Sequence, residues 1–303
     1  MAQLIVIGGA TATGKSDLAV ALAKELDAHI INADSMQLYK GMDIGTAKLS
    51  LEERQGIPHH MLDMVDVKTE VTVAWYQEHA RNFIDQLLEQ NINTIVVGGT
   101  GFYIKAILDD LNFPDTDPVI RDRLTAEAEQ IGAAALHQRL ATLDPAAALA
   151  IPKENVRRVV RALEVIEITG KPFTANLPRV DSTKYPQAQQ FGLALDRENL
   201  DPRIDQRVDR MWELGIVEET EALINQGLLE GKTAQAALGY AQIMRMQHGL
   251  MSESEAIEDT KRATRQYARR QETWFSRDDR ITWFAPGTTS QHLDRLLQAI
   301  LKA

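Results

Sequence analysis

Cysteine is absent from this 303-residue sequence. That excludes disulfides, thiolate metal ligands and cysteine nucleophiles, and it fits a reducing compartment. No apolar run approaches the ~20 residues of a membrane-spanning helix. The first strand-like run starts at residue 4, so a secretory leader is not expected ahead of it and a cytoplasmic location is. Positive charge is also scarce, with a net charge of −10. This excludes a generally basic coat for nucleic acid and leaves a local basic groove as the electrostatic route to such a partner. Internal repeats and low-complexity tracts are missing as well.

What is present begins with Gly9-Ala10-Thr11-Ala12-Thr13-Gly14-Lys15-Ser16. It fits the G-x-x-x-x-G-K-[ST] phosphate-binding loop without a mismatch. Leu4–Ile7 ahead of it reads as a buried strand and Asp17–Leu26 behind it as a helix, the context this motif needs. Consecutive backbone N–H groups from Gly9 to Gly14 make an anion-binding concavity, and the helix turns its positive end to the same point. Lys15 adds a point charge for phosphate oxygens, and the Ser16 hydroxyl suits Mg²⁺. The pattern specifies a polyphosphate without saying which.

His29–Ala33 reads as a second strand ending at Asp34, and Tyr39–Pro58 as loop and turns. Val73–Gln90 reads as a helix with Trp75, Phe83, Leu87 and Leu88 on or near one face. Thr94–Val97 is a third strand, closing on Gly98-Gly99-Thr100-Gly101 and followed by helix Phe102–Leu108. Strands alternating with helices predict an α/β fold, a doubly wound parallel sheet of the phosphate-loop type. Pro114, Asp115, Asp117 and Pro118 break this pattern. From Val119 to Thr169 the spacing is helical throughout, interrupted at Gly132, Asp144-Pro145 and Ile151-Pro152. A helical insertion over 113–186 is therefore expected, between core segments 1–112 and 187–303. Phe173–Tyr185 reads as loop and Phe191–Leu195 as a returning strand. Helices are expected over Asp201–Gln226, Thr233–Gln247 and Ser252–Ser276, then strand Ile281–Phe284 and helix Ser290–Leu301.

Asp34 falls at the edge where an open α/β sheet places its ligands. A general base or an Mg²⁺ partner is one reading, and a turn carboxylate is the other. The third strand lacks the terminal carboxylate that phosphate-loop NTPases use for Mg²⁺, which argues against nucleotide hydrolysis. Gly98-Gly99 would allow close approach of a ligand, with Thr100 as hydroxyl donor or helix cap. Arg203 and Arg207, one helical turn apart, could each clamp a diphosphate or pair with Asp205 or Asp209. Lys261, Arg262, Arg265, Arg269 and Arg270 precede Arg277 and Arg280, with only Glu272 opposing them between 261 and 277. Tyr267, Trp274 and Phe275 are interleaved. Such a stripe suits a phosphate backbone and unstacked bases, the alternative being a solvated face. Asn155, Arg157, Arg158 and Arg161 form a second basic cluster. His59-His60, adjacent and without a suitably spaced third ligand, suits hydrogen-bonding or turn roles better than metal.

Several stretches resemble the bacterial tRNA dimethylallyltransferases: Ala33–Lys48, Ile57–Asp63, Gly98–Tyr103, Asn155–Val159, Arg161–Val165, Gly170–Pro172, Gly239-Tyr240 and Arg265–Gln271. The likeness runs from the phosphate loop to about residue 284. It implies transfer of a dimethylallyl group from dimethylallyl diphosphate to N6 of adenine 37 of tRNA, beside the anticodon. By this resemblance the loop, Lys15 and Arg203 hold the diphosphate, Ser16 carries Mg²⁺, Asp34 is the general base and Thr100 hydrogen-bonds near the target base. Contacts to the tRNA anticodon stem-loop fall to Asp34, Ser35, Met36, Gln37, Thr100, Arg121, Arg157, Arg158, Arg265, Arg269 and Arg270. The insertion is then a mobile domain gripping that stem-loop, and a monomer with no membrane association is expected. Ala10 and Thr13 replace the family's usual Pro and Ser, and Ala241 stands where a longer polar side chain is usual. The competing readings are a phosphate-loop small-molecule kinase, a non-catalytic RNA-binding GTPase or ATPase, and an adenylate isopentenyltransferase. The basic clusters favour tRNA over the first and the last, and the second lacks a base-reading motif such as Asn-Lys-x-Asp.

Overall fold

In the computed structural model, which describes residues 2–176 and 182–301, the apolar run Leu4–Gly8 (β1) is buried along its whole length. It lies inside a six-stranded sheet of order β3-β2-β4-β1-β5-β6. The other strands are His29–Asn32 (β2), His59–His60 (β3), Thr94–Gly98 (β4), Gln189–Leu193 (β5) and Ile281–Phe284 (β6), and every pairing is parallel. Alternation along β1 explains the two layers. Leu4 and Val6 pack with Ile31 and Val96 under Val73–Glu89 (α2) and Gly101–Leu108 (α3). Ile5 and Ile7 pack on the opposite face under Lys15–Leu26 (α1) and a C-terminal helix, Thr289–Ile300 (named α12 below).

The chain divides into two compact units, residues 1–108 with 185–303, and residues 109–184. The second unit is four helices, Pro118–Ile131 (α4), Ala133–Leu143 (α5), Pro145–Ala150 (α6) and Val156–Thr169 (α7). Asp117, Asp144 and Asn155 cap three of them, so the breaks fall at the punctuation in the sequence. Leu124, Leu136, Leu140, Val159 and Leu163 form its own core. Glu164 is fully buried there and receives Arg121, Arg161 and the Asp117 N–H. Burial alone would raise its pKa, but these hydrogen bonds hold the carboxyl below its ordinary value.

The first unit continues through Arg197–Glu213 (α8), Ile216–Asn225 (α9), Tyr240–Gln247 (α10) and Glu253–Phe275 (α11) before β6 and α12. Three expectations are corrected. The 201–226 stretch is two helices, since Gly215 takes φ 94° between them, and the first begins at Arg197 because Asp196 caps it. Within 233–247 a 3-10 turn, Ala234–Ala236, precedes α10, which begins only after Gly239 at φ 86°. Leu87 lies on the buried face of α2 with Tyr76, Ala80 and Ile84, and Trp75, Phe83 and Leu88 pack beside it, as expected. Phe173–Asn176 is a 3-10 turn rather than open loop, and residues 177–181 of that expected loop lie outside the described residues.

Candidate active site

Because β2, β4 and β1 are neighbours, their C-terminal ends bring Asp34, Gly98–Thr100 and the 9–16 loop to one sheet edge. Gly14 takes φ 89° and opens directly into α1. Thr13 Oγ1 donates to the Ala10 carbonyl at 2.9 Å, bracing the loop from inside, and Lys15 Nζ donates to the same carbonyl. Ser16, the second residue of α1, is half-buried, its hydroxyl without a hydrogen bond among the described residues.

Packing within the chain itself requires the Gly98-Gly99 pair. A Cβ on Gly98 would lie 2.2 Å from the Ala33 carbonyl oxygen, and one on Gly99 would lie 2.2 Å from Gln271 Nε2. The close approach these glycines allow is by the end of β2 and by α11. Gln271 is buried, donates to the Gly99 carbonyl at 2.8 Å and accepts the Thr11 N–H at 2.8 Å. One amide thus ties the phosphate loop to the end of β4. Sequence reasoning quoted Gln271 within a matching stretch but gave it no role. A neutral residue among arginines carries no charge or spacing signal.

Asp34 is both a turn residue and a free acceptor. Its Oδ1 accepts the Met36 N–H at 2.9 Å, and its own N–H donates to Asn32 Oδ1 at 3.0 Å. Asn32 Nδ2 donates to the carbonyls of Asp34 and Met61, each at 2.9 Å. The carboxylate is half-buried and forms no ion pair among the described residues, so its second oxygen remains for chemistry. Thr100 is hydrogen-bonded beside it, donating its N–H to Ala33 O at 3.1 Å and accepting the Ser35 N–H on Oγ1 at 3.2 Å. The Tyr267 hydroxyl faces Thr100 and Gln271. Burial first, then the field of Asp34, pushes this phenol up to about 12.

Arg207, not Arg203, is the arginine that the structure brings in. Arg203 is exposed on α8 and has no ion pair among the described residues. Arg207, one turn later, donates Nη2 to the Thr46 carbonyl at 3.2 Å and lies in the field of Asp34. Gln37 Nε2 donates to that same carbonyl at 3.1 Å. Burial, then Arg207, lowers the Lys15 pKa to about 7, with Asp34 pulling it back up. A buried lysine and an arginine within each other's field, opposed by one carboxylate, leave a local excess of positive charge at this edge.

The basic helix divides in two. Arg265 pairs with Asp205, Lys261 with Asp209 and Glu258, and Arg262 with Asp259. Asp205 and Asp209 of α8 and Glu258 and Asp259 of α11 itself therefore oppose the first half of the stripe. Arg269, Arg270 and Arg277 are exposed and without ion pairs among the described residues. With Thr273 and Trp274 they line a groove of about 240 Å³. Trp274, 42% exposed, packs over Gly101, where a Cβ would meet its ring at 2.1 Å, and meets the Phe102 ring edge-on. In the second unit Arg157 and Arg158 are exposed, whereas Arg121 is held bidentate by Glu164 at 3.0 Å. His59 and His60, expected to hydrogen-bond or form a turn, lie in β3 and do hydrogen-bond: His59 Nδ1 is 2.8 Å from the Ile57 carbonyl and His60 Nε2 is 3.0 Å from His29 Nδ1. Among the described residues no cluster of His, Asp and Glu could hold a metal by itself.

Residues 37–278 match the IPP transferase family. A tRNA dimethylallyltransferase of Thermobifida fusca is 57% identical over 288 residues, covering 93% of this chain and 90% of its own. That of Streptomyces griseus is 54% identical, covering 97% and 92%. Among solved structures, the tRNA isopentenylpyrophosphate transferase of Bacillus halodurans superposes with TM-score 0.73 at 37% identity, over 100% of this chain and 96% of that one. A eukaryotic dimethylallyltransferase acting on tRNA superposes with TM-score 0.80 at 29% identity, over 96% and 75%. With the phosphate loop, Asp34 and Thr100 at one sheet edge and this breadth of likeness, the chain belongs to the IPP transferase family.

Proposed function

We propose that this protein transfers a dimethylallyl group from dimethylallyl diphosphate to N6 of adenine 37 of tRNA, releasing diphosphate. The observation that carries the reading is one carboxylate, Asp34, without an ion pair among the described residues, at the same sheet edge as the phosphate loop and in the field of Lys15 and Arg207. An exocyclic adenine nitrogen is a poor nucleophile and must lose a proton as it attacks. The free oxygen of Asp34 takes that proton while the N6–C1 bond forms. The C1–oxygen bond to diphosphate breaks at the same carbon, and its charge passes to oxygens facing the loop N–H groups, Lys15 and Arg207. The half-buried Ser16 hydroxyl is a hard oxygen donor suited to Mg²⁺, which keeps most of its shell from phosphate oxygens and water. Bound there, Mg²⁺ supplies further charge neutralisation for the diphosphate.

The acceptor side is supported by the Arg269, Arg270, Arg277 and Trp274 groove beside Thr100, which offers charge for phosphates and a ring for an unstacked base. The target adenine must leave its stack to reach the sheet edge, as in other enzymes acting on bases. Arg157 and Arg158 give the insertion its own exposed positive surface. The test combines purified protein, Mg²⁺ and unmodified tRNA with dimethylallyl diphosphate or ATP, followed by nucleoside mass spectrometry. Prenylated adenosine in tRNA, only with the isoprenoid, is the expected result. Prenylation of free AMP without tRNA modification, or ATP consumption without transfer, would overturn the proposal.

A further inference from the structure

The 43–46 turn is organised around a carboxylate from another helix. Glu219 of α9 accepts the N–H groups of Asp43 at 3.2 Å, Ile44 at 2.8 Å and Gly45 at 3.2 Å. Three consecutive amides converging on one carboxylate reproduce the geometry of an anion nest. Tyr240 Oη completes the set by donating to Glu219 Oε1 at 2.6 Å. The Tyr240 ring is fully buried against Gly45, where a Cβ would approach it to 2.5 Å. Lys48 Nζ fixes the far end of the turn by binding the Tyr39 carbonyl at 2.9 Å and Asp43 and Asp63 at 2.6 Å each. What the turn presents to the active site is the Thr46 carbonyl, which receives both Arg207 Nη2 and Gln37 Nε2.

We infer that Glu219 is a positioning residue for the diphosphate site, acting through the Thr46 carbonyl to aim Arg207 at the phosphate loop. The inference rests on the proposed reading that Arg207 faces a diphosphate. The bonds of Glu219 go to the turn amides and to Tyr240. By closing the 43–45 amides and holding Tyr240, it sets where the Thr46 oxygen stands, and that oxygen is the only hydrogen-bond acceptor shown for the Arg207 guanidinium among the described residues. An arginine without its acceptor would lose its preorganised direction, which is what makes a guanidinium effective toward phosphate.

The test is a double-mutant cycle with inorganic pyrophosphate and Mg²⁺ as the probe, read by titration calorimetry on the full chain. Glu219→Gln should weaken pyrophosphate binding about fivefold to tenfold, the scale of one ordinary hydrogen bond. In the Arg207→Ala background the same substitution should change affinity by less than about twofold, because its route of action is gone. Equal losses in both backgrounds would overturn the inference, since a general loosening of the fold would not need Arg207. Should Glu219→Gln fail to fold, Tyr240→Phe removes a single bond to the carboxylate and runs the same cycle with a smaller expected loss. If Arg207→Ala alone leaves pyrophosphate affinity unchanged, the diphosphate reading itself fails and the inference falls with it.

Discussion

Replacing Lys15 by methionine should make the ligand-free protein more stable while removing its hold on diphosphate. Lys15 is 8% exposed, and burial is the main reason its pKa drops from 10.5 to about 7. At ~1.4 kcal/mol per unit, forcing the charged form into that site costs about 4 kcal/mol at pH 7. Methionine keeps a long unbranched stem and forgoes the hydrogen bond to Ala10, worth about 1 kcal/mol. The net gain is on the order of 3 kcal/mol near neutrality. The sign follows from the lowered pKa. Between about 7 and 10.5 the unfolded chain binds a proton at Lys15 that the folded chain does not, so wild-type stability rises with pH across that window. The advantage of Lys15→Met should therefore shrink as pH rises from 7 toward 10. Urea unfolding of both proteins at pH 7 and 9.5, at equal slope, reads it directly. A variant no more stable than wild type at pH 7, or a gap independent of pH, would refute the reasoning.

Other outcomes follow from the same geometry. Arg269→Ala should weaken tRNA binding and lower the slope of log affinity against log salt by about one, with pyrophosphate affinity unchanged; calorimetry and a filter-binding salt series measure both. Arg121→Ala should lower the melting temperature by leaving the buried Glu164 short of a partner, costing about 3 kcal/mol, whereas exposed Arg157→Ala should not. The His60 pKa is lowered by burial, then by His29 and His59, with Arg54 facing His59. Its stabilising effect is complete above the unfolded value of 6.5 and is lost as pH falls through the lower folded value. Unfolding midpoints should fall more steeply below pH 6.5 in wild type than in His60→Gln.

The chemistry-bearing edge of the sheet was legible because each part carries its own local signal. A glycine-lysine loop, a carboxylate past a strand and a threonine past two glycines are short motifs whose neighbours in sequence reveal them. Helix breaks in the insertion were legible for the same reason, at Gly132, Pro145 and Pro152. What stayed hidden depends on pairs far apart in the chain. Gln271 bridges to Thr11 across 260 residues, and Glu219 reaches Ile44 across 175. Arg207 and Arg203 look alike in sequence, and only the turn carrying Thr46 distinguishes them. The first half of the basic stripe is likewise opposed by Asp205 and Asp209 from a separate helix. Hydrophobic period and motif spacing report none of these.

The most direct test of the central claim is single-turnover prenyl transfer by Asp34→Asn, measured beside its tRNA dissociation constant. The amide keeps an oxygen for the Met36 N–H and cannot take the N6 proton. Transfer slowed by about 10²- to 10⁴-fold with tRNA binding unchanged is the predicted result. Weakened tRNA binding with near-normal transfer at saturation would contradict the account.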